Sequence, residues 1–134
     1  MKIETCLAAN HEVASNIIIY ASKPGFHFLH SIVAAPGVYT SAASFVEVLG
    51  YHQLTPAETQ LFEEFFANTP VFPLSPVVLD KAIQLRRQRK MKLGDSLVAA
   101  TALVFQCELV TRNVSDFGWI TGLALFDPLK STTS

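Results

Sequence analysis

The sequence predicts an α/β fold: a three-layer α/β/α sandwich around a central, mainly parallel sheet of four or five strands. Three observations lead there. Short apolar runs such as Val38-Tyr39-Thr40 and Glu108-Leu109-Val110-Thr111 alternate with stretches of helical spacing. From Leu97 to Phe105 the residues are nearly all apolar helix formers, the pattern of a helix buried on all sides. No internal repeat, low-complexity tract or linker interrupts this alternation.

The bulk numbers fit one domain spanning 1–134, long enough for a real core, with 1–12 its least readable part. A hydrophobic content of 50% and a mean hydropathy of +0.34 exclude a disordered chain. With a net charge of −1 and a pI near 6.4, no global positive field draws in nucleic acid, so any RNA contact needs a local patch. Cys6 and Cys107 lie in no CxxC or zinc spacing, as expected of reduced thiols in a cytoplasmic protein. Met1–Glu12 lacks the apolar run of a signal peptide, and no segment is long enough to span a bilayer.

In chain order, Cys6-Leu7-Ala8-Ala9 reads as the start of a strand, weakened by Asn10, His11 and Glu12. Ile17-Ile18-Ile19 reads as strand by composition, but Ser15 is also a cap and Lys23-Pro24-Gly25 a stop for a short helix. Phe26–Val33 has the spacing of a short helix, broken by Pro36-Gly37, and Val38-Tyr39-Thr40 is a strand. Ser41–Tyr51 is helical, with Ser41, Ser44 and Glu47 forming a polar stripe against Ala42, Phe45, Val46, Val48 and Leu49. Thr55-Pro56-Ala57-Glu58 combines a cap, a proline at the first helical position and an acid three residues after the cap, starting a helix to about Ala67. Its apolar side carries Leu61, Phe62, Phe65 and Phe66. Val71-Phe72-Pro73-Leu74 is a strand, Ser75-Pro76 opens a helix to about Arg89, and Leu123–Phe126 is a last edge strand.

Ligands of open parallel sheets bind beyond the carboxyl ends of the strands. Glu47, Asp95 and Asp116 each follow a strand or begin the next helix, so all three can meet at one end of the sheet. Oxygen donors without His or Cys select hard cations such as Mg²⁺ or Mn²⁺, which polarise a phosphodiester. Each acid also has an ordinary explanation. Glu47 is a solvated residue on its stripe, Asp116 belongs to the polar turn Arg112–Phe117, and Asp95 or Ser96 caps the helix behind it.

Gly94-Asp95-Ser96-Leu97-Val98-Ala99-Ala100-Thr101-Ala102-Leu103, followed by Leu109-Val110-Thr111-Arg112-Asn113-Val114-Ser115-Asp116-Phe117, resembles the carboxyl-terminal half of PIN-domain proteins, especially VapC-type toxins. Ser44-Phe45-Val46-Glu47-Val48-Leu49-Gly50 resembles the family's second acid motif, and Ser15-Asn16-Ile17-Ile18-Ile19 its first. The resemblance runs from about Val13 to Leu129 and favours the helical reading of the isoleucine run. It implies a metal-dependent ribonuclease using Mg²⁺ or Mn²⁺, with Glu47, Asp95 and Asp116 as metal-binding and catalytic acids. Ser15, Asn16, Thr111 and Asn113 are implied as supporting polar residues. The implied partners are an RNA substrate, an antitoxin and a second copy of the chain.

The match fails at one letter. Ala14 stands where the family places its first metal-binding aspartate. Glu12 shares strand parity with Ala14, but its Cα is roughly 6–7 Å back along the strand, so it is a poor substitute. Two readings therefore compete: the toxin ribonuclease of a toxin–antitoxin pair, weakened or inactive through Ala14, and a degenerate PIN fold that binds RNA or an antitoxin without cleaving. A nucleotide-binding doubly wound domain lacks the Gly-rich loop it would need.

Arg86, Arg87, Arg89, Lys90 and Lys92, just ahead of Asp95, read either as cations complementing a helix end or as phosphate contacts. For the second role Arg86, Arg87, Lys90 and Lys92 are the candidates. His11, His27, His30 and His52 have no ligand spacing. Apolar residues around Phe26–Val33 and Leu61–Phe66 exceed the needs of one small core, which fits an exposed contact patch.

Overall fold

The computed structural model describes residues 10–130. Five strands form one sheet, in the order β3-β2-β1-β4-β5, with every neighbouring pair parallel. They are β1 (His11–Val13), β2 (Val38–Ser41), β3 (Val71–Phe72), β4 (Glu108–Val110) and β5 (Leu125–Phe126). Seven helices fill the connections: α1 (Ser15–Ala21), α2 (Leu29–Val33), α3 (Ala42–Leu49), α4 (Pro56–Ala67), α5 (Pro76–Gln88), α6 (Leu93–Phe105) and α7 (Val114–Phe117).

The strand reading near the amino terminus is corrected in part. The Cys6–Ala9 run lies outside the described residues, while β1 is made of the His11 and Glu12 that had counted against a strand. Parallel pairing on both sides overrides their low strand propensity. Glu12 faces Tyr39 across one pairing and Leu109 across the other. The isoleucine run is helical, as the resemblance implied.

Alternation along the strands divides the core in two. Val13 and Val110 face a cluster with Ile17 and Ile18 of α1 and Phe62 and Phe66 of α4. Ala14 and Leu109 face the opposite cluster, with Val78, Ala82 and Leu85 of α5 and Val98, Ala99, Ala100 and Ala102 of α6. Helix α3 contributes to both, through Ala43 on one side and Val48 on the other. This is the layered sandwich expected of βα alternation.

Several local signals act as their chemistry requires. Thr55 and Glu58 form a reciprocal capping box at α4, with Pro56 at its start. Ser75 accepts from the Val78 backbone N–H at the head of α5. The stripe on α3 is a second correction. Ser41 and Ser44 are buried and bonded to each other, whereas Val46 is 67% exposed. The polar side of α3 packs inward towards α6, and small hydroxyls bonded to one another satisfy that contact.

Candidate functional site

From β1 the chain steps outward to β2 and then β3, and later crosses back to the other side of β1 for β4 and β5. Strand order reverses between β1 and β4, and open α/β sheets bind ligands beyond the carboxyl ends of the strands at such a point. Ala14, Ser15 and Asn16 lead out of β1 at this point, and Thr111, Arg112 and Asn113 lead out of β4.

A hydrogen-bonded lattice ties the two exits together. The Asn16 side-chain amide donates to Thr111 Oγ1 (3.2 Å), and its oxygen accepts from the Arg112 backbone N–H (3.2 Å). Thr111 Oγ1 also accepts from the Asn113 backbone N–H (3.1 Å). Thr111 is fully buried, so this satisfaction matters. Asn113 takes part through its backbone, and its carbonyl accepts from the Asp116 N–H at the start of α7 (3.0 Å). The stretch expected as a polar turn is thus a one-turn helix carrying Asp116.

Ser15 is the first residue of α1 rather than its cap. That place belongs to Ala14, which has no side chain to offer the helix. The Ser15 hydroxyl instead donates to Glu47 Oε1 at 2.6 Å, a short bond of the kind a charged acceptor makes. Glu47, on α3, projects its carboxylate against the first turn of α6. A Cβ on Gly94 would sit 2.8 Å from Glu47 Oε2, so only glycine leaves the carboxylate this place.

Asp95 is the third residue of α6. Lys92 is the cap position, and neither Asp95 nor Ser96 caps the helix; the Ser96 hydroxyl bonds the Leu93 carbonyl. Partial burial raises the Asp95 carboxyl above its ordinary value, the Lys92 ammonium lowers it, and the carboxylates of Asp116 and Glu47 raise it again. Acids on two other helices therefore both act on Asp95. Among the described residues, no three or more His, Cys, Asp and Glu side chains stand close enough together in this arrangement to hold a metal ion.

The donor chemistry fits a hard divalent cation. Glu47, Asp95 and Asp116 offer only carboxylate oxygens, and the glycine-cleared space lets one of them approach the helix start. Glu12 is not part of this group. It is fully buried, and among the described residues neither carboxylate oxygen has a hydrogen-bond partner. Burial pushes its carboxyl well above the ordinary range. Its charge acts on Cys107, whose thiol is pushed up to about 11 by burial first and Glu12 second.

Exposed cations border the acids. Arg86, Arg87, Arg89, Lys90 and Lys92 run along the end of α5 to the start of α6. The Arg89 guanidinium lies over the Trp119 ring, 5.4 Å from its centre, and Trp119 Nε1 donates to the Asp116 carbonyl (3.1 Å). On another border, Arg112 lies over Tyr20 at 5.2 Å. Sequence reading missed Gly94, Trp119 and Tyr20. The signals were a glycine directly before Asp95 and the chain's one tryptophan three residues after Asp116.

A cavity of about 440 Å³ lies between α1, α2 and α4, lined by Ile18, Ala21, Val33, Leu61 and Phe65 and by none of the acids. Phe28, 52% exposed, and Leu61 add apolar surface on the same helices. Among the described residues, no helix is long and apolar enough to cross a membrane.

A family model described as PIN domain matches residues 13–117. The chain is similar in structure to a chain of the toxin–antitoxin complex from Klebsiella pneumoniae, with 24% identity, a TM-score of 0.74, and coverage of 91% of this chain and 100% of that one. It is also similar to a chain of VapBC-1 from nontypeable Haemophilus influenzae, with 22% identity, a TM-score of 0.71, and coverage of 87% and 96%. A chain of FitAcB from Neisseria gonorrhoeae is similar at 22% identity and a TM-score of 0.69, with coverage of 88% and 97%. At these identities the likeness speaks for the fold. No curated protein matches the chain.

Proposed function

The chain belongs to the PIN-domain family, and from that premise we propose that it is a metal-dependent endoribonuclease of the VapC type, the toxin of a toxin–antitoxin pair, weakened by Ala14. The observation that carries this reading is that the carboxylates of Asp116 and Glu47 both lie near enough to act on Asp95, past the point where strand order reverses between β1 and β4. In it, Glu47, Asp95 and Asp116 hold Mg²⁺ or Mn²⁺, and when bound the ion supplies Lewis-acid polarisation of a phosphodiester. The protein's part is to fix those acids. Ser15 holds one Glu47 oxygen, which leaves the other free to face the ion. The Asn16–Thr111 lattice keeps the two strand exits at a set distance. Arg86, Arg87, Lys90 and Lys92 hold substrate phosphates and offset the acids' repulsion of RNA.

Ala14 favours a second reading, a protein that binds RNA or antitoxin without cleaving. Cleavage of RNA by the chain as it stands, with Mn²⁺ and with chelator, separates the two. Metal-dependent cleavage that Asp95→Asn removes supports the nuclease. RNA binding with no cleavage, in this chain and in Ala14→Asp alike, supports the second reading.

The partner in this proposal is an antitoxin peptide whose apolar helix face fills the cavity between α1, α2 and α4. Solved structures similar to this chain are described as toxin–antitoxin complexes, which supports that choice. From there an Arg or Lys of the peptide reaches the acids over the start of α1. Self-association uses other exposed apolar surface, such as Val77 and Ile83 of α5. Co-expression with the product of the adjacent reading frame and light scattering of the purified chain test these two contacts. A lone monomer at high concentration rules out the dimer.

A further inference from the structure

We propose that two arginine–aromatic stacks near the acids, Arg89 on Trp119 and Arg112 on Tyr20, are base-stacking platforms for the RNA strand. This rests on the reading of the acids as an RNA-cleaving site. Among the described residues, both arginine–ring contacts that the structure forms are bonded to segments of the candidate site, one through Asp116 and the other through Asn16. They come from unrelated parts of the chain. One joins the end of α5 to the segment after α7, and the other joins α1 to the loop after β4.

Each ring is anchored to the site's own scaffold. Trp119 bonds the Asp116 carbonyl through its indole N–H, so its plane is fixed relative to that acid. Tyr20 lies one turn along α1 from Asn16, which bonds the Arg112 backbone. Trp119 is half-buried, with one side packed on the core cluster and Arg89 over the ring. Both arginines are exposed. An exposed guanidinium on a ring is a contact that a nucleobase readily replaces, because base stacking on an aromatic is the stronger interaction.

The exchange has a second gain. A displaced arginine finds a bidentate partner in the backbone phosphate that accompanies the base. Neighbouring Lys90 and Lys92 already make this border positive. Paired bases in a duplex do not present their faces to such rings, which is why the platforms select single strands or loops.

The chain's one tryptophan makes the test direct. Asp95→Asn protein is titrated, in chelator, with a single-stranded 2′-O-methyl oligoribonucleotide of about ten nucleotides. Controls are the matching duplex and an abasic oligomer of equal charge. Binding is followed by anisotropy of the labelled strand, and Trp119 by its fluorescence. The expected result is quenching by the single strand but not by the duplex or the abasic oligomer, with single-strand affinity at least tenfold above duplex affinity. Trp119→Leu lowers single-strand affinity about tenfold and leaves abasic binding unchanged. Arg89→Lys, which keeps the charge and loses the planar fork, and Tyr20→Leu each lower it severalfold. Equal quenching by duplex or abasic oligomer overturns the proposal, as does binding without quenching or no binding at all. Quenching in a protein whose Ala14→Asp variant cleaves no RNA leaves the platforms standing and removes the nuclease reading. Cleavage without quenching does the reverse.

Discussion

At the carboxyl end of β1, polar side chains meet polar partners: Ser15 holds Glu47, and Asn16 bridges Thr111 and Arg112. Within the body of the same strand, Glu12 sits fully buried between β2 and β4, with neither oxygen bonded among the described residues. Ala14, on the same side of the strand, is the cap position of α1 and packs its methyl group into the apolar cluster beneath α5 and α6. An acid thus lies where burial disfavours its charged form, while the hydroxyl and amide side chains just past the strand are paired. Strand position explains the contrast. Side chains past the strand end find loops and helix starts with free polar groups, whereas those inside the sheet are cut off from water.

The sharpest way to test this contrast is to change position 14. We expect Ala14→Asp to raise Mn²⁺-dependent RNA cleavage by about 10²-fold, since a loosely held metal loses roughly that much rate through misplacement. Asp95→Asn erases the gain. Side-by-side assays with and without chelator read it, and equal rates for Ala14→Asp and the chain as it stands would remove position 14 from the site.

The next largest effect is at Glu12. Its folded-state carboxyl titrates above the ordinary value of 4.5, while the unfolded chain titrates near that value. Below pH 4.5 both states are protonated and the penalty is smallest. As pH rises, the unfolded state ionises first, so the folded state loses relative stability until its own, higher value is passed. Glu12→Leu should therefore stabilise the protein by about 1–3 kcal/mol at neutral pH, with a smaller gain near pH 4. Urea melts across that range check it. A gain that does not depend on pH would contradict burial of an ionisable group as the cause.

Gly94→Ala separates the two regions from each other. Alanine favours the helix by up to about 1 kcal/mol, yet its Cβ displaces the nearby Glu47 carboxylate, which swings aside on a flexible side chain. We expect equal or higher melting temperature together with weaker Mn²⁺ binding by calorimetry. Unchanged metal binding would show that Glu47 has no part in holding the ion.

The smallest effect concerns capping. Ala14 is the cap position of α1 and makes no side-chain bond. Ala14→Asn should stabilise the chain by about 0.5–1 kcal/mol in chelator, with no added response to Mn²⁺. Ala14→Asp in the same melts should show a metal-dependent gain. If both respond alike to metal, the aspartate acts as a cap and not as a ligand.

Much of the fold was legible because local chemistry and tertiary packing agree. The capping box of Thr55 and Glu58, the apolar run of α6 and the alternation of strands with helices all point one way. Strand β1 was hard to place because His11 and Glu12 deny it the apolar run of a buried parallel strand. The inward turn of Ser41 and Ser44 was also hidden, since a stripe of hydroxyls resembles a solvated face until a neighbouring helix is in view. At the candidate site, acid identities and order could be read from the sequence. The space at Gly94, the Ser15–Glu47 bond and the rings under Arg89 and Arg112 depend on residues far apart in the chain, so they needed coordinates.

The two edge strands are only two residues long, and β3 is flanked by Pro70 and Pro73. So short an edge, next to residues without an N–H to donate, gives an incoming strand almost no backbone to pair with. The sheet is closed to growth by strand addition even though it is an open sheet. Misassembly into stacked-strand fibrils has little template in the folded state, and contacts with another copy or a partner are left to side-chain surfaces on the helices. Sequence change on those helices can then retune which partner is accepted while the sheet stays untouched.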